Sequence, residues 1–371
     1  MKDIVIIGGG IAGLVNALLL ARAGFDVLVL EKKHYPLHKV CGEYISNEVV
    51  PFLKSIGAYP VELNPSQINK LIITSEKTSF ESALDLGGFG VSRYSFDYYL
   101  YKKAKEAGAE FLLNTEVTDI KKQEKYFSIT NSSGSIIYTK LVIGAYGKRS
   151  KLDKQLGRSF FYERSPYIGV KYHIKTDFSP NSIALHIFNK GYCGISKIED
   201  DKYCLCYLSS RDNLRDFKNI KGMEEQVLYK NPALKSVFIN SEFLYDKPEV
   251  INEISFTPKP LIENGIFMCG DSAGMITPLC GNGMSIAIHS AKLLSELVIN
   301  NYANKEFDYP KIEKLYSIEW NKFFKNRLAA GRFIQQLFLI QPLSDIGLIA
   351  IKQSVPLARW AIRKTHGESF Y

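Results

Sequence analysis

Residues 3–32 read DIVIIGGGIAGLVNALLLARAGFDVLVLEK. The apolar run Ile4–Ile7 predicts a parallel strand covered on both faces. It leads directly into Gly8-Gly9-Gly10-Ile11-Ala12-Gly13, a GxGxxG turn. Apolar residues at helical spacing follow as far as Gly24, which marks the stop. A second strand ends in Glu31, 21 positions after Gly10. Each part has a mechanical reason. Gly8 permits the tight turn, Gly10 lets a pyrophosphate approach the backbone, and Gly13 lets helix and strand pack closely. The helix start at Ile11 and Ala12 offers free N–H groups and the positive end of a dipole to phosphates. Glu31 is placed to accept hydrogen bonds from ribose hydroxyls. In a βαβ unit of this order, GxGxxG predicts a dinucleotide site.

The remaining composition narrows the class. At 371 residues, 46% hydrophobic and 23% charged, the chain has ample core for a globular protein of more than one part. Its net charge of +9 comes from scattered lysines without a basic run or a nucleic-acid motif, so no nucleic-acid partner is expected. The six cysteines form no CxxC pair and match neither a zinc framework nor a disulfide framework; no metal is expected. The opening strand leaves no room for a signal peptide, and no apolar run is long enough to span a membrane. A cytoplasmic protein is expected.

The C-terminal half decides which dinucleotide. Residues 266–286, IFMCGDSAGMITPLCGNGMSI, read as a strand, then Gly270-Asp271, then Pro278 and Gly281-Asn282-Gly283 opening another helix. This pair of motifs resembles the FAD-dependent family of aromatic hydroxylases and geranylgeranyl reductases. The resemblance implies FAD as cofactor. It gives Asp271 the ribityl chain and sets the turn Pro278–Met284, with Gly281, Asn282, Gly283 and Met284, against the flavin and pyrophosphate. The segment GVSRYSFDYYLYKKAKEAGAEFL fits the same pattern, with Arg93 approaching the cofactor and Asp97 read as a local helix-start residue. Lys32, Val117 and Gly147 fall to the cofactor by the same resemblance. In TKLVIGAYGKRSKLD, Tyr146 stands where relatives carry an aspartate that helps organise FAD and nicotinamide binding. FAD is still expected as cofactor; the loss of this carboxylate weakens the case for direct use of NAD(P)H, which stays a candidate electron donor. The WxWxIP segment of flavin halogenases and the YxWxFP segment of geranylgeranyl reductases are both missing.

After Glu31 comes KVCGEYIS, residues 39–46. In relatives this loop runs beneath the flavin, which implies Cys41 and Gly42 beside the ring and makes Cys41 a candidate catalytic thiol. Glu43 is expected to start a helix or to accept a ribityl hydrogen bond. From Pro166 to Leu208 alternating strands predict an antiparallel sheet. His186, Tyr192 and Cys193 are its candidate substrate-binding residues, whereas His173 is read more readily as a packed histidine.

The expected fold class is α/β: a Rossmann-like FAD-binding domain, an inserted antiparallel β-sheet substrate domain and a C-terminal helical region. FAD-binding segments are expected at 1–65, 91–160 and 256–310, substrate-domain strands at 66–90 and 161–255, and helices at 311–371. Arg327, Arg332, Lys352, Arg359 and Arg363 accompany those helices, which either pack on the core, cap a substrate tunnel or rest on an anionic membrane surface. The leading function is a monooxygenase-like oxidoreductase for a large apolar substrate. The alternatives are a reductase of prenyl or lipid double bonds and, in another class, a non-catalytic lipid or protein carrier.

Overall fold

The computed structural model describes residues 1–252, 254–339, 341–353 and 367–371. The strand Lys2–Ile7 is the centre of the first sheet. It lies parallel to Val27–Leu30 on one side and to Ile136–Gly144 on the other. Glu110–Leu112 extends the sheet beyond Val27–Leu30, and Ile266–Met268 extends it beyond Ile136–Gly144, both in parallel. The strands Ile4–Ile7 and Val27–Leu30 are entirely buried because helices cover the sheet. Ile11–Arg22 packs between Arg93–Glu106 and Gly283–Asn300. Buried Asn16 ties two of these together: its Nδ2 donates to Ala12 O at 2.8 Å, and its Oδ1 accepts from Ser295 Oγ at 2.9 Å. The carboxyl ends of the parallel strands therefore converge at Gly8, Glu31, Ala145 and Cys269, where open α/β sheets place their ligands.

Among the described residues the second sheet has nine strands, drawn from distant parts of the chain. Tyr167–Lys175, Tyr203–Ser210, Gly191–Lys197 and Ser182–Phe188 form an antiparallel run, as the alternation predicts. Ser182–Phe188 then pairs with Ser66–Thr74 in parallel, a departure from a wholly antiparallel sheet. Ser79–Gly90 and Tyr44–Ser46 complete that edge. The loop of interest, residues 39–43, thus leads straight into the second sheet. Helices Arg211–Phe217, Ile220–Gln226 and Pro232–Asn240 cover one face, around a core that includes Cys193, Tyr207, Met223 and Leu234. The other face looks towards the first sheet's site.

Tyr309–Trp320, Asn326–Leu339 and Gln341–Gln353 are helices, the first two joined by a π turn at Asn321–Lys325. Arg327 is turned inward, with Nη2 3.0 Å from Glu48 Oε1, and Lys352 is exposed. Arg359 and Arg363 lie outside the described residues. Among the described residues no helix is long and apolar enough to cross a membrane.

Candidate functional site

In the glycine turn the close contacts fall at Gly9 and Gly13, and the open position is Gly10. A Cβ at Gly13 would lie 2.0 Å from Gly8 O, and one at Gly9 would lie 1.8 Å from Tyr35 Oη. A Cβ at Gly10 meets nothing nearer than Arg93 Nη2 at 3.8 Å and Lys39 Nζ at 3.9 Å. Gly10 therefore faces open space flanked by two cations. The helix behind it has no side-chain cap and no acidic residue in its first turn, leaving its N–H groups and dipole to an anion. This cradle fits a diphosphate. Glu31 is buried at the neighbouring strand end, with Oε2 accepting Gly9 N at 2.7 Å and Oε1 accepting Lys33 N at 3.0 Å. Lys32 beside it is exposed, and buried Val117 follows a loop whose Thr115 N donates to Glu31 O at 2.9 Å.

Arg93 and Lys39 share one counter-ion. Arg93 Nε and Nη2 reach the Asp97 carboxylate at 2.6 and 2.7 Å, and Lys39 Nζ reaches it at 2.9 Å. Asp97, fully buried, is thus not the helix-start residue expected from its position; Ser92 caps that helix, accepting Ser95 N at 3.1 Å. The cluster keeps an excess positive charge on the cradle side. Asp97 also fixes the guanidinium in plane through a bidentate pair.

The opposite rim is the segment 270–284. Gly270 takes φ +62°, and a Cβ there would lie 2.8 Å from that of Ala12, so the two motifs are in contact. Burial raises the Asp271 carboxyl, against the pull of Lys259, Arg93 and Lys148. Lys259 donates to Asp271 O and Lys148 O at 2.8 and 2.7 Å, and burial lowers its amine to about 8. Tyr146, in the aspartate's usual place, donates to Asp153 Oδ1 at 3.2 Å; Asp153 also pairs with buried Arg158 at 2.8 Å. Arg158 Nη2 in turn donates to Pro260 O and Ser272 O, and Ser272 Oγ accepts Gly147 N at 2.9 Å. This network anchors the Gly147 turn to the Gly270–Ser272 segment without the missing carboxylate. Pro278–Cys280 and Gly281 then pass beneath Tyr44, and Gly283 opens an 18-residue helix whose Asn282 side chain does not cap it.

The loop Lys39–Glu43 spans the gap between the sheets. Cys41 is half-buried and Gly42 exposed, with nothing within 4 Å of a Cβ at Gly42. Burial pushes the Cys41 thiol up, against the pull of Arg93, so it stays protonated. Glu43 takes neither expected role. It is wholly buried at φ +55° and accepts Arg93 N and Lys171 Nζ, each at 2.8 Å; His173 Nε2 lies 2.7 Å from its other oxygen. Burial alone would raise this carboxyl, but Lys171 and His173 outweigh it and hold it at about 2. Cys204 Sγ donates to Cys41 O at 3.2 Å, and Ser196 Oγ donates to Gly42 O at 3.4 Å. Glu43, His173 and Cys204 could bring ligand atoms within 4.8 Å of one another, but the Lys171 ammonium already supplies the cation that Glu43 needs. Lys171 and His173 stand two apart in the strand YIGVKYHIK, which puts both on one face. That period-2 spacing was the available signal for them.

The register separates the other candidates. Tyr192 pairs with Ile187 and Leu208, on the face towards the first sheet, in a cluster with Tyr44, Ile73, Met275 and Leu279. His186 and Cys193 do not belong with it. Alternation turns both to the opposite face, where Cys193 sits in the helix-covered core. His186 Nδ1 there lies 2.8 Å from Thr74 Oγ1. The sequence pattern picks out the strand, but a neighbouring residue on a strand points the other way.

Residues 1–187, half of the chain, match a family model described as an FAD binding domain. The chain belongs to this family. FAD is its cofactor, and the cradle at Gly10 fits the diphosphate that this cofactor carries. The FAD-binding chain is 25% identical to the digeranylgeranylglycerophospholipid reductase of Methanococcus vannielii, covering 95% of this chain and 90% of that protein. Among solved structures, the flavin-dependent brominase Bmp2 superposes with a TM-score of 0.80 at 22% identity, over all of this chain and 94% of that one. PqsL of Pseudomonas aeruginosa, described as a probable FAD-dependent monooxygenase, gives a TM-score of 0.75 at 15% identity, over 94% of this chain and 99% of that one. These likenesses establish a Rossmann-type flavoprotein fold.

Proposed function

We propose that the chain is a monooxygenase-like FAD-dependent oxidoreductase acting on a large apolar substrate, with NAD(P)H as electron donor. Gly8, Gly10, Ile11, Ala12, Gly13, Glu31, Lys32 and Val117 hold the ADP half of the cofactor in this reading. Arg93, Gly147, Gly270, Asp271 and the turn Pro278–Met284 hold the flavin half, with Cys41 and Gly42 beside the ring. Bound FAD supplies the electron chemistry. The residues of the two rims would hold the group and exclude water, and burial keeps the Cys41 thiol protonated. The observation that carries the substrate class is the apolar layer of Tyr44, Leu71, Ile73, Phe80 and Met275, which packs with Leu279 of the turn 278–284. Such a layer offers burial to hydrocarbon or aromatic surface and little to a charged molecule.

The test is stoichiometric. With candidate aromatic polyketides or lipids, one oxygen is consumed per NAD(P)H and one oxygen atom appears in the product, the other leaving as water. Substrate reduction under strict anaerobiosis would instead establish the second reading, a reductase of carbon–carbon double bonds. The protonated, half-buried Cys41 favours that reading, since such a reduction needs a proton donor beside the ring. Cys41→Ser with unchanged turnover and full FAD content removes the thiol from either chemistry. A carrier function has no use for FAD, the cofactor of this family.

A further inference from the structure

Tyr192 leaves its hydroxyl without a hydrogen-bond partner among the described residues, although the side chain is only 4% exposed. A buried unpaired hydroxyl lowers stability, and phenylalanine would fill the same volume without that penalty. The neighbours explain why nothing in the fold serves it. Its cross-strand partners on this face are Ile187 and Leu208, and the remaining cluster is apolar apart from Tyr44, whose hydroxyl is committed to Gly87 O at 3.2 Å. Cys206, Cys280 and Tyr167 are the titratable groups facing it from other elements, and Cys280 belongs to the turn Pro278–Cys280. Burial keeps the phenol protonated, hence a donor.

His186 also leaves one ring nitrogen, Nε2, unpaired. It differs in position: it lies on the far face, its other nitrogen beside Thr74, under the helices that cover that face, with the sheet between it and the cofactor side. Tyr192 is an orphan on the face towards the site.

We propose that Tyr192 is a specificity-determining hydrogen-bond donor to the substrate, and that the substrate is an uncharged apolar molecule bearing an acceptor oxygen, such as a carbonyl. This inference rests on the reading that the apolar layer receives substrate. Removing the donor would leave hydrophobic binding intact and abolish discrimination between an oxygenated ligand and its hydrocarbon counterpart.

The experiment titrates the FAD-loaded protein with a long-chain methyl ketone and with the alkane of the same length, followed by calorimetry. The wild type is expected to bind the ketone about tenfold more tightly. Tyr192→Phe is expected to bind both equally, with unchanged FAD content and a melting temperature equal to or above that of the wild type. Equal binding of the two probes by the wild type, or a preference that survives Tyr192→Phe, overturns the role of Tyr192 and leaves the apolar layer standing. Failure of the wild type to bind either probe overturns the layer as a substrate site, and the Tyr192 inference with it.

Discussion

A methyl group added at Gly13 would lie 2.0 Å from the Gly8 carbonyl oxygen, whereas one added at Gly10 would meet only two flexible cationic side chains near 4 Å. Gly10 also has φ −82°, a backbone that alanine adopts freely. Gly13→Ala is thus expected to destabilise the fold by about 1–3 kcal/mol. Gly10→Ala is expected to change stability by no more than ~0.5 kcal/mol and to weaken FAD binding at least tenfold, by equilibrium unfolding and flavin titration. Glu43 gives a second residue-level prediction. Its carboxyl stands at about 2 in the folded chain against an ordinary 4.5. Its stabilisation is therefore complete above the ordinary value and is lost as pH falls from there towards 2, on the order of 3 kcal/mol in all. The stability difference between wild type and Glu43→Gln, by denaturant melts across that window, should shrink as pH falls; a constant difference contradicts the buried ion pair. The glycines were legible because their burden is local. Glu43 was not, since its partners Lys171 and His173 stand about 130 positions away and only the fold brings them to it.

Elements show the same division between local and distant. The opening strand, turn, helix and strand fall where the sequence pattern predicts, because each boundary is written in adjacent residues. Strand order in the second sheet is different. Tyr44–Ser46 and Ser182–Phe188 join the same sheet through Ser66–Gly90, and no turn signal marks those pairings. The displacement of His186 and Cys193 has the same origin, since only register assigns the two faces. One residue locks this arrangement on the far face. Asn231 accepts Ala233 N and Leu234 N at the start of Pro232–Asn240, and its Nδ2 donates to Ile187 O and Thr74 Oγ1 at 3.0 and 2.9 Å. Asn231→Ala should cost about 2 kcal/mol by denaturant unfolding, through loss of the cap and of buried bonds. FAD content should be unchanged, because these bonds lie across the sheet from the site.

At the scale of the whole molecule, the site is an assembly of chain segments far apart in sequence: Gly8–Glu31, the Arg93 helix and the stretch 270–284. The first and last were readable alone, and their contact through Ala12 and Gly270 appears only in the fold. The C-terminal helices present a different surface. Phe333, Ile346 and Ile349 are exposed there, with Lys322 and Lys352 also at the surface. A membrane-contacting role for this face predicts that the protein sediments with anionic lipid vesicles, less so at high salt and not with neutral ones. The cofactor tests the central claim. Because FAD would bind the folded chain and not the unfolded one, it should stabilise the native chain by about 2.7 kcal/mol at a hundredfold excess over its dissociation constant. The direct measurement is a thermal melt of the apoprotein with increasing FAD, for the wild type and Gly10→Ala side by side. One FAD per chain and a rising melting temperature are expected for the wild type. The same apoprotein melting temperature is expected for Gly10→Ala, with little further rise on adding FAD. A wild type that neither takes up FAD nor gains stability from it, or a Gly10→Ala protein that binds FAD as tightly as the wild type, would contradict it.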